Sequence, residues 1–290
     1  MGKMKRILIL LLVITGLYIV FNQSNVLDVF RGNGIKNDEA AITNNTEVIK
    51  VDVGSVSTTI IPEDRKNLRA EYEGKQKLTV KENGDEVEVR LKSKWFNWFN
   101  WGSQKSNLKI YIPEDYDQDM WIDLGSGNLN FSGASKNKPM KLEKLTLDIG
   151  SGNMNLRNLE VKELYQDVSS GNVNMNSIKT EKGIFDVSSG NLDIDHYSGG
   201  ITADVSSGRL AVQVEQLTDS IKMDISSGLV DLDLPDDADF TLNGEVSSGK
   251  ISCDLPLEDK VQNREMIHGK HGSGKHTINL DVSSGIININ

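Results

Sequence analysis

The segment DVSSGNVNM, residues 167–175, decides the fold because variants of it recur along the chain. Each copy consists of an acid, a branched apolar residue, Gly or Ser, Ser, Gly, one variable residue and an apolar residue. Its glycine recurs at Gly127, Gly152, Gly171, Gly190, Gly208, Gly228, Gly249 and Gly285. The intervals of 25, 19, 19, 18, 20, 21 and 36 residues give a basic period of about 19–20. This period predicts a repeat architecture in which each unit buries its apolar face against its neighbours.

Alternation of apolar and polar residues on both sides of each corner identifies the elements as strands. Around Gly208, apolar residues stand at every second position from Ile201 to Val205 and again from Leu210 to Val214. This alternation is typical of strands with one buried face. Two short strands and two corners per coil leave no room for a crossover helix. We therefore predict an all-β protein, a parallel β-solenoid, in which the corner glycine is free to take a positive φ.

Composition limits the classes of partner. The chain has 290 residues, a formal net charge of −10 and 6% aromatic residues. The negative charge argues against nucleic acid as a partner. The low aromatic content suits a narrow solenoid filled by aliphatic side chains. The single cysteine, Cys253, excludes an intramolecular disulfide.

Residues 1–30 are predicted to form a cytoplasmic tip and a transmembrane signal anchor. Basic residues precede an uncharged run from Ile7 to Phe21, and this order favours a cytoplasmic N-terminus. The run spans about 22 Å as a helix, less than a hydrocarbon core of about 30 Å, so a cleaved signal peptide is the alternative. The lack of a small-x-small cleavage site favours an uncleaved anchor. The anchor positions are Ile7, Leu11, Val13, Leu17 and Phe21.

The rest of the chain divides into three parts. Residues 31–47 are rich in Gly, Asn and charged residues, which predicts a flexible linker. Residues 48–120 are expected to form an N-terminal coil and an irregular β cap over the open end of the solenoid. Within this part, Val51 to Ser55 is a degenerate copy of the repeat, and Asn83 to Asp85 is a hairpin turn. Residues 121–290 hold the Ser-Ser-Gly repeats.

An aromatic segment interrupts the cap. The expected strands at 86–92 and 108–112 make this segment the predicted tip of a hairpin. Aromatic rings bordered by lysines suit the headgroup layer of an anionic membrane, so one hypothesis is contact with a membrane or a partner. The alternative is that the rings fold back and seal the end of the solenoid. The candidate contact residues are Trp95, Phe96, Trp98, Phe99 and Trp101.

The acid of each repeat falls on the outward side just before the corner. Stacked coils would place these like charges about 5 Å apart, where they repel. Hydrogen bonds from the corner amides and hydroxyls are the favoured relief. A Ca²⁺ site is the alternative, although no loop has calcium-binding spacing. The structural corner residues are Asp148, Gly152, Asp167, Gly171, Asp186, Gly190, Asp204, Gly208, Asp224 and Gly228.

Four asparagines follow four successive corners at the same place in the repeat. Aligned asparagines form amide ladders in stacked β-structures. We therefore predict a structural ladder through Asn128, Asn153, Asn172 and Asn191.

No arrangement typical of a catalytic or metal site stands out. Ser-Ser-Gly recurs too often to mark a catalytic serine, and there is no phosphate-binding loop or nucleophile elbow. His268, His271 and His276 lie close together in or next to the long insertion 257–275. Nearby lysines and the lack of a second ligand type favour a solvated loop over a metal site. We predict no enzyme activity, no cofactor and no metal.

Together, the basic N-terminal anchor, the Asp-Val-Ser-Ser-Gly units, Ile112-Pro113 and the segment from Leu234 to Phe240 resemble the bacterial putative-adhesin family of β-solenoids. The resemblance covers essentially the whole chain. It implies a cell-envelope protein encoded alongside an envelope-stress signalling system, in a Gram-positive bacterium. It transfers no catalytic residue.

The expected function is that of a single-pass, extracytoplasmic binding, adhesion or scaffolding module of the cell envelope. A regulatory partner of a membrane stress sensor is the alternative, and a carbohydrate-active β-helix enzyme is a distant third. The expected partners are the lipid bilayer through the N-terminal helix, envelope-stress membrane proteins, and cell-wall or surface ligands.

Overall fold

The computed structural model describes residues 35–92 and 106–290, and the predicted anchor and the aromatic segment lie outside them. The described residues form 22 β-strands. The first eleven are β1 (Ile35–Ala41), β2 (Val48–Val53), β3 (Ser57–Glu63), β4 (Asn67–Glu73), β5 (Lys77–Asn83), β6 (Glu86–Lys92), β7 (Asn107–Pro113), β8 (Asp119–Leu124), β9 (Asn128–Ser132), β10 (Met140–Ile149) and β11 (Asn153–Val168). The others are β12 (Asn172–Val187), β13 (Asn191–Val205), β14 (Arg209–Gln216), β15 (Ile221–Ile225), β16 (Leu229–Asp233), β17 (Phe240–Val246), β18 (Lys250–Cys253), β19 (Glu258–Gln262), β20 (Met266–His271), β21 (His276–Val282) and β22 (Ile286–Ile289).

Parallel pairing between repeats confirms the all-β stack. Strand β11 pairs with β12, and β12 with β13, so that Asp167 lies beside Asp186 and Asp186 beside Asp204. Alternate residues point inward, which produces aliphatic columns along the axis. One such column runs through Ile149, Val168 and Val187, all of which are fully buried. Burial of these columns, at about 25 cal/mol per Å², is the main force that holds the coils together.

The strands in the central coils are longer than the short strands that the sequence predicted. The second corner of each coil does not interrupt the pairing between coils, so a single strand continues through it. Strands β11 and β12 each contain 16 residues. In three successive coils the chain turns at a residue with positive φ: Asn158 at 54°, Ser177 at 58° and His196 at 54°. None of the three is glycine, so the signal that marks most left-handed positions is missing from the sequence.

The order of the coils in space differs from their order in sequence at both ends. The coil formed by β2 and β3 lies between the β6/β7 coil and the β8/β9 coil. Similarly, the last coil of the chain, formed by β21 and β22, lies between the β15/β16 coil and the β17/β18 coil. The segment from Val51 to Ser55 is a repeat unit, as predicted, but its coil is the second in space.

The N-terminal cap consists of three antiparallel strands. Strand β5 pairs with β6, β4 with β7, and β1 with β4. The predicted turn at Asn83 to Asp85 is present, with Gly84 at a φ of 67°. The cap also corrects the expected flexible linker at 31–47, because residues 35–41 form strand β1. Strand β1 forms backbone hydrogen bonds with the outer edge of β4. Such bonds require no alternation of apolar residues, so a polar segment can form a strand there.

The expected hairpin around the aromatic segment is wrong. Strand β6 pairs with β2 and β5, whereas β7 pairs with β3 and β4, so the two strands lie on different faces of one coil. The chain leaves β6 at Lys92 and enters β7 at Asn107. In the neighbouring coils the corresponding connection is a three-residue corner, at 54–56 and at 125–127. The aromatic segment therefore belongs to a connection that takes the place of a corner.

A second cap closes the opposite end. Strand β20 pairs antiparallel with β17, and β19 with β20. The insertion 257–275, expected to be a solvated loop, is thus largely a hairpin. His271 fastens it, because its ring stacks on Phe240 and Nδ1 lies 2.8 Å from the Pro256 carbonyl oxygen. This hydrogen bond is the main cause of the raised pKa of His271.

Candidate binding surfaces on the coil stack

The corner glycines are required by close stacking and not by a positive φ, which corrects the sequence-based expectation. No corner glycine appears among the described residues with positive φ. A Cβ at Gly152 would lie 2.1 Å from the carbonyl oxygen of Gly127, and one at Gly190 would lie 2.5 Å from that of Gly171. Each glycine therefore lets one coil approach the backbone of the next.

The corner amides also serve the stack. The backbone N–H of Ser170 donates to the carbonyl oxygen of Gly150 at 2.8 Å, and the N–H of Ser189 donates to that of Ser169 at 2.8 Å. The amides consequently bond to the neighbouring coil and not to the acid of their own repeat. The corner amides therefore do not cap the acids, which corrects that part of the expectation. The second serine of each central corner is exposed, so a row of hydroxyls follows the edge of the solenoid.

The acid column is continuous. It runs through nine coils as Asp52, Asp123, Asp148, Asp167, Asp186, Asp204, Asp224, Asp281 and Glu245. Arg90 neutralises one end through Asp52 at 2.8 Å, and Lys222 binds Asp224 at 3.0 Å. Partial burial, followed by repulsion from Asp148, raises the pKa of both Asp123 and Asp167. No group of three or more metal-ligating side chains suited to an ion occurs within residues 35–92 and 106–290.

Replacing Asp167 by Asn is expected to stabilise the protein at neutral pH by roughly 0.2–1 kcal/mol, because a repelling charge is removed. The folded-state pKa of Asp167 lies above its unfolded value, so ionisation of Asp167 weakens the fold above that pKa. As the pH falls through the folded-state pKa, wild-type Asp167 becomes neutral and the advantage of Asn disappears. Urea midpoints measured at neutral and acidic pH test this dependence.

Asp224→Asn is the matched control, since Asp224 belongs to the same column but accepts a hydrogen bond from Lys222. This variant should gain less stability than Asp167→Asn or lose some. Equal gains from the two variants would show that repulsion within the column is not the cause.

The predicted asparagine ladder is present and has a neighbour. The side-chain amide of Asn153 donates to Asn128 at 3.0 Å, Asn172 to Asn153 at 3.2 Å and Asn191 to Asn172 at 2.8 Å. A second ladder, which the sequence analysis missed, runs two residues further along each strand. It comprises Asn130, Asn155 and Asn174. The missed signal was the alternation of asparagine with buried residues in these strands.

Two outward aromatic side chains also escaped the sequence analysis. Trp121 and Tyr165 are partly exposed and belong to one column, with Thr146 between them. They stand two residues before the acids, on the same side of the strand. Lys144 lies over the Tyr165 ring at 4.5 Å, and the Tyr165 hydroxyl donates to Glu163 at 3.1 Å. The two aromatic side chains thus lie beside the acid column, and the asparagine ladders follow on the other side of the corners.

A cavity of about 430 Å³ follows four corners in the half of the stack that is nearer the C-terminal cap. Serine hydroxyls and Arg209 line it. The Arg209 guanidinium bonds to Asp193 at 2.7 Å and to Asp231 at 3.0 Å, so its charge is already neutralised. The cavity therefore offers a ligand hydroxyl groups for hydrogen bonding, and the charge of its arginine is already paired.

The chain enters the fold at the N-terminal cap. Ile35, the first described residue, belongs to β1, and β1 is joined through β4 to β7, which begins at Asn107. Residues 1–34 and the connection 93–106 therefore meet the described domain at the same end of the stack. In the described part of the chain, no helix has the length and apolar character that crossing a membrane requires.

Stacked parallel coils with outward columns of acids and asparagines define a class of protein, the β-solenoid. The chain belongs to the Toastrack DUF4097 family, which it matches over residues 46–290.

Solved structures share the fold. A putative adhesin from Parabacteroides distasonis has a TM-score of 0.54 and 14% identity, over 89% of this chain and 97% of that chain. A putative adhesin from Bacteroides fragilis has a TM-score of 0.51 and 12% identity, over the same shares of the two chains. At such identities the likeness concerns the fold alone. Comparison with curated proteins found no significant match.

Proposed function

We propose that the protein is a membrane-anchored, extracytoplasmic binding or adhesion module of the bacterial cell envelope. The observation that carries the proposal is that residues 1–34 and the aromatic connection join the solenoid at the same end. An anchor at Ile7 to Phe21 would bring this end to the bilayer. The rings of Trp95, Trp98 and Trp101 would then lie near the headgroup layer, which favours indole side chains.

The location of the chain can be tested on protoplasts with a C-terminal tag. An anchored, extracytoplasmic protein should stay at full length in the membrane fraction and lose its tag to external protease. A shortened protein in the supernatant would contradict the anchor and indicate a cleaved signal. Protection of the tag from external protease would contradict the proposed orientation.

Membrane contact of the aromatic segment can be tested by tryptophan fluorescence. The chain has four tryptophans, and Trp121 lies in β8, which β2 separates from β6. In full-length protein reconstituted with brominated lipid, Trp121→Phe should retain strong quenching of its remaining emission. Substitution of Trp95, Trp98 and Trp101 by Phe should leave only the unquenched emission of Trp121. Weak quenching in the Trp121→Phe variant would contradict membrane contact.

The proposal includes a link to envelope stress, which the family resemblance suggests. Deletion of the protein should alter the response to agents that damage the envelope, and full-length protein should restore it. A chain reduced to residues 1–47 should not restore the response, because it lacks the binding faces. Restoration by this short chain would place the effect in the anchor.

A further inference from the structure

We propose that a cavity at the C-terminal cap binds a phosphate ester of a sugar or short polyol. The cavity has a volume of about 350 Å³ and lies between the 246–251 corner and residues 262–267 of the β19–β20 hairpin. This volume falls at the lower end of the range of small-molecule sites. It exceeds what a bare phosphate ion would fill.

Two cations without protein partners line the cavity. The Lys250 ammonium and the Arg264 guanidinium form no salt bridge or side-chain hydrogen bond within residues 35–92 and 106–290, although the chain has a net charge of −10. Glu245 and Glu265 adjoin the lining segments in sequence, but neither belongs to the lining. An arginine fork beside a lysine suits a phosphate group, which accepts several charge-assisted hydrogen bonds.

The remaining lining suits an organic group bearing hydroxyls. The backbone N–H groups of Ser247 and Ser248 already donate to the carbonyl oxygens of Val282 and Ser283, so their hydroxyls are the groups left for a ligand. Gln262 adds a side-chain amide. Met266, which is 40% exposed, supplies an apolar wall. Hydroxyl, amide and thioether groups together match the mixed surface of a sugar or polyol.

Two other cavities show why this one favours anions. In the corner cavity, the charge of Arg209 is neutralised by two aspartates. The cavity around residues 141–181 is lined by alternating lysines and glutamates, which include the Lys162–Glu143 pair at 2.6 Å. The C-terminal cavity instead combines unpaired cations with a lining that contains no carboxylate.

The position of the cavity fits an outward-facing site. Nine coil-to-coil steps separate the β6/β7 coil from the β17/β18 coil, a distance of roughly 43 Å at the usual strand spacing. The assignment deepens the proposed function, on which this orientation rests, since an anchor at the first end would place the cavity furthest from the bilayer. The chemistry of the cavity does not depend on the anchor.

Titration calorimetry on the full-length protein in nonionic detergent tests the site, with sn-glycerol 3-phosphate as the probe. Binding should be saturable and should weaken as ionic strength rises. The double variant K250Q/R264Q should bind at least about tenfold more weakly, as expected for lost hydrogen bonds to charged groups. The double variant K270Q/K275Q changes the charge of the same cap equally but leaves the lining intact. It should bind like wild type.

Each outcome of the calorimetry has a defined interpretation. No binding by wild type, or equal binding by K250Q/R264Q, would overturn the proposal. Equal affinity for inorganic phosphate would reduce the site to an adventitious ion only, and equal affinity for glycerol would remove the role of the phosphate. Competition by phosphatidylglycerol vesicles would identify a lipid headgroup as the source of the ester, and its absence a non-lipid source. Quenching by brominated lipid is measured separately, so the two proposals can fail independently.

Discussion

Gly190→Ala is expected to cost about 3 kcal/mol of folding free energy, at the upper end for overpacking in a rigid site. The new Cβ would lie 2.5 Å from the Gly171 carbonyl oxygen and 2.5 Å from a Val168 methyl carbon. Relief requires the coils to separate, which would weaken flanking bonds such as the 3.0 Å bond from Asn191 N–H to Gly171 O. The midpoint of urea unfolding, followed by circular dichroism of the full-length protein in detergent, measures the loss.

Gly54→Ala provides the control, because Gly54 lies in a corner but an added Cβ there would meet no atom within 4 Å. Its φ also lies outside the left-handed region. This variant should be neutral or more stable by up to about 1 kcal/mol, through a smaller loss of chain entropy on folding. A similar destabilisation in both variants would show that corners resist any added methyl group and that close stacking is not the cause.

Tyr197→Phe is expected to cost about 2 kcal/mol, since a buried hydroxyl with two partners is lost. The fully buried Tyr197 hydroxyl donates to the Gly200 carbonyl oxygen at 2.7 Å and accepts from Thr180 at 2.7 Å. Burial raises its pKa, so the hydroxyl stays protonated at physiological pH. Tyr165→Phe is the matched control and should change stability by less than about 0.5 kcal/mol, because its hydroxyl is near the surface.

A double-mutant cycle with Gly183 sharpens this prediction. A Cβ at Gly183 would lie 2.2 Å from the Tyr197 hydroxyl oxygen, so the absence of a side chain there makes room for the large ring. Gly183→Ala should therefore be less costly in the Tyr197→Phe protein than in wild type. Additive costs would contradict direct packing of Tyr197 against this glycine. The same unfolding midpoints supply the four free energies.

The repeat period predicted the stack and its register. Because Ser-Ser-Gly recurs with alternating apolar flanks, it predicted that Asp167 and Asp186 would be neighbours and that Asn153 and Asn172 would form a ladder. Both arrangements are present. These features depend on local periodicity, which the sequence displays directly.

Other features depend on information that the period does not contain. His196 takes a left-handed conformation without being glycine, because stacking on Ser177 and Asn158 in the preceding coils imposes the corner. The spatial order of the coils at the two ends cannot be predicted from the sequence, because the repeat units are similar and the strand edges of one unit resemble those of another. Strand β19 is exposed throughout and shows no apolar alternation. The partners of the aromatic segment and of the anchor stay predictions.

The placement of the last coil has a consequence for the order of folding. Residues 276–289 occupy the space between the β15/β16 coil and the β17/β18 coil. Every parallel strand neighbour of the β17/β18 coil therefore comes later in the chain than that coil itself. A chain that is cut before residue 276 lacks these neighbours, so its outer coil has no native surface on which to stack.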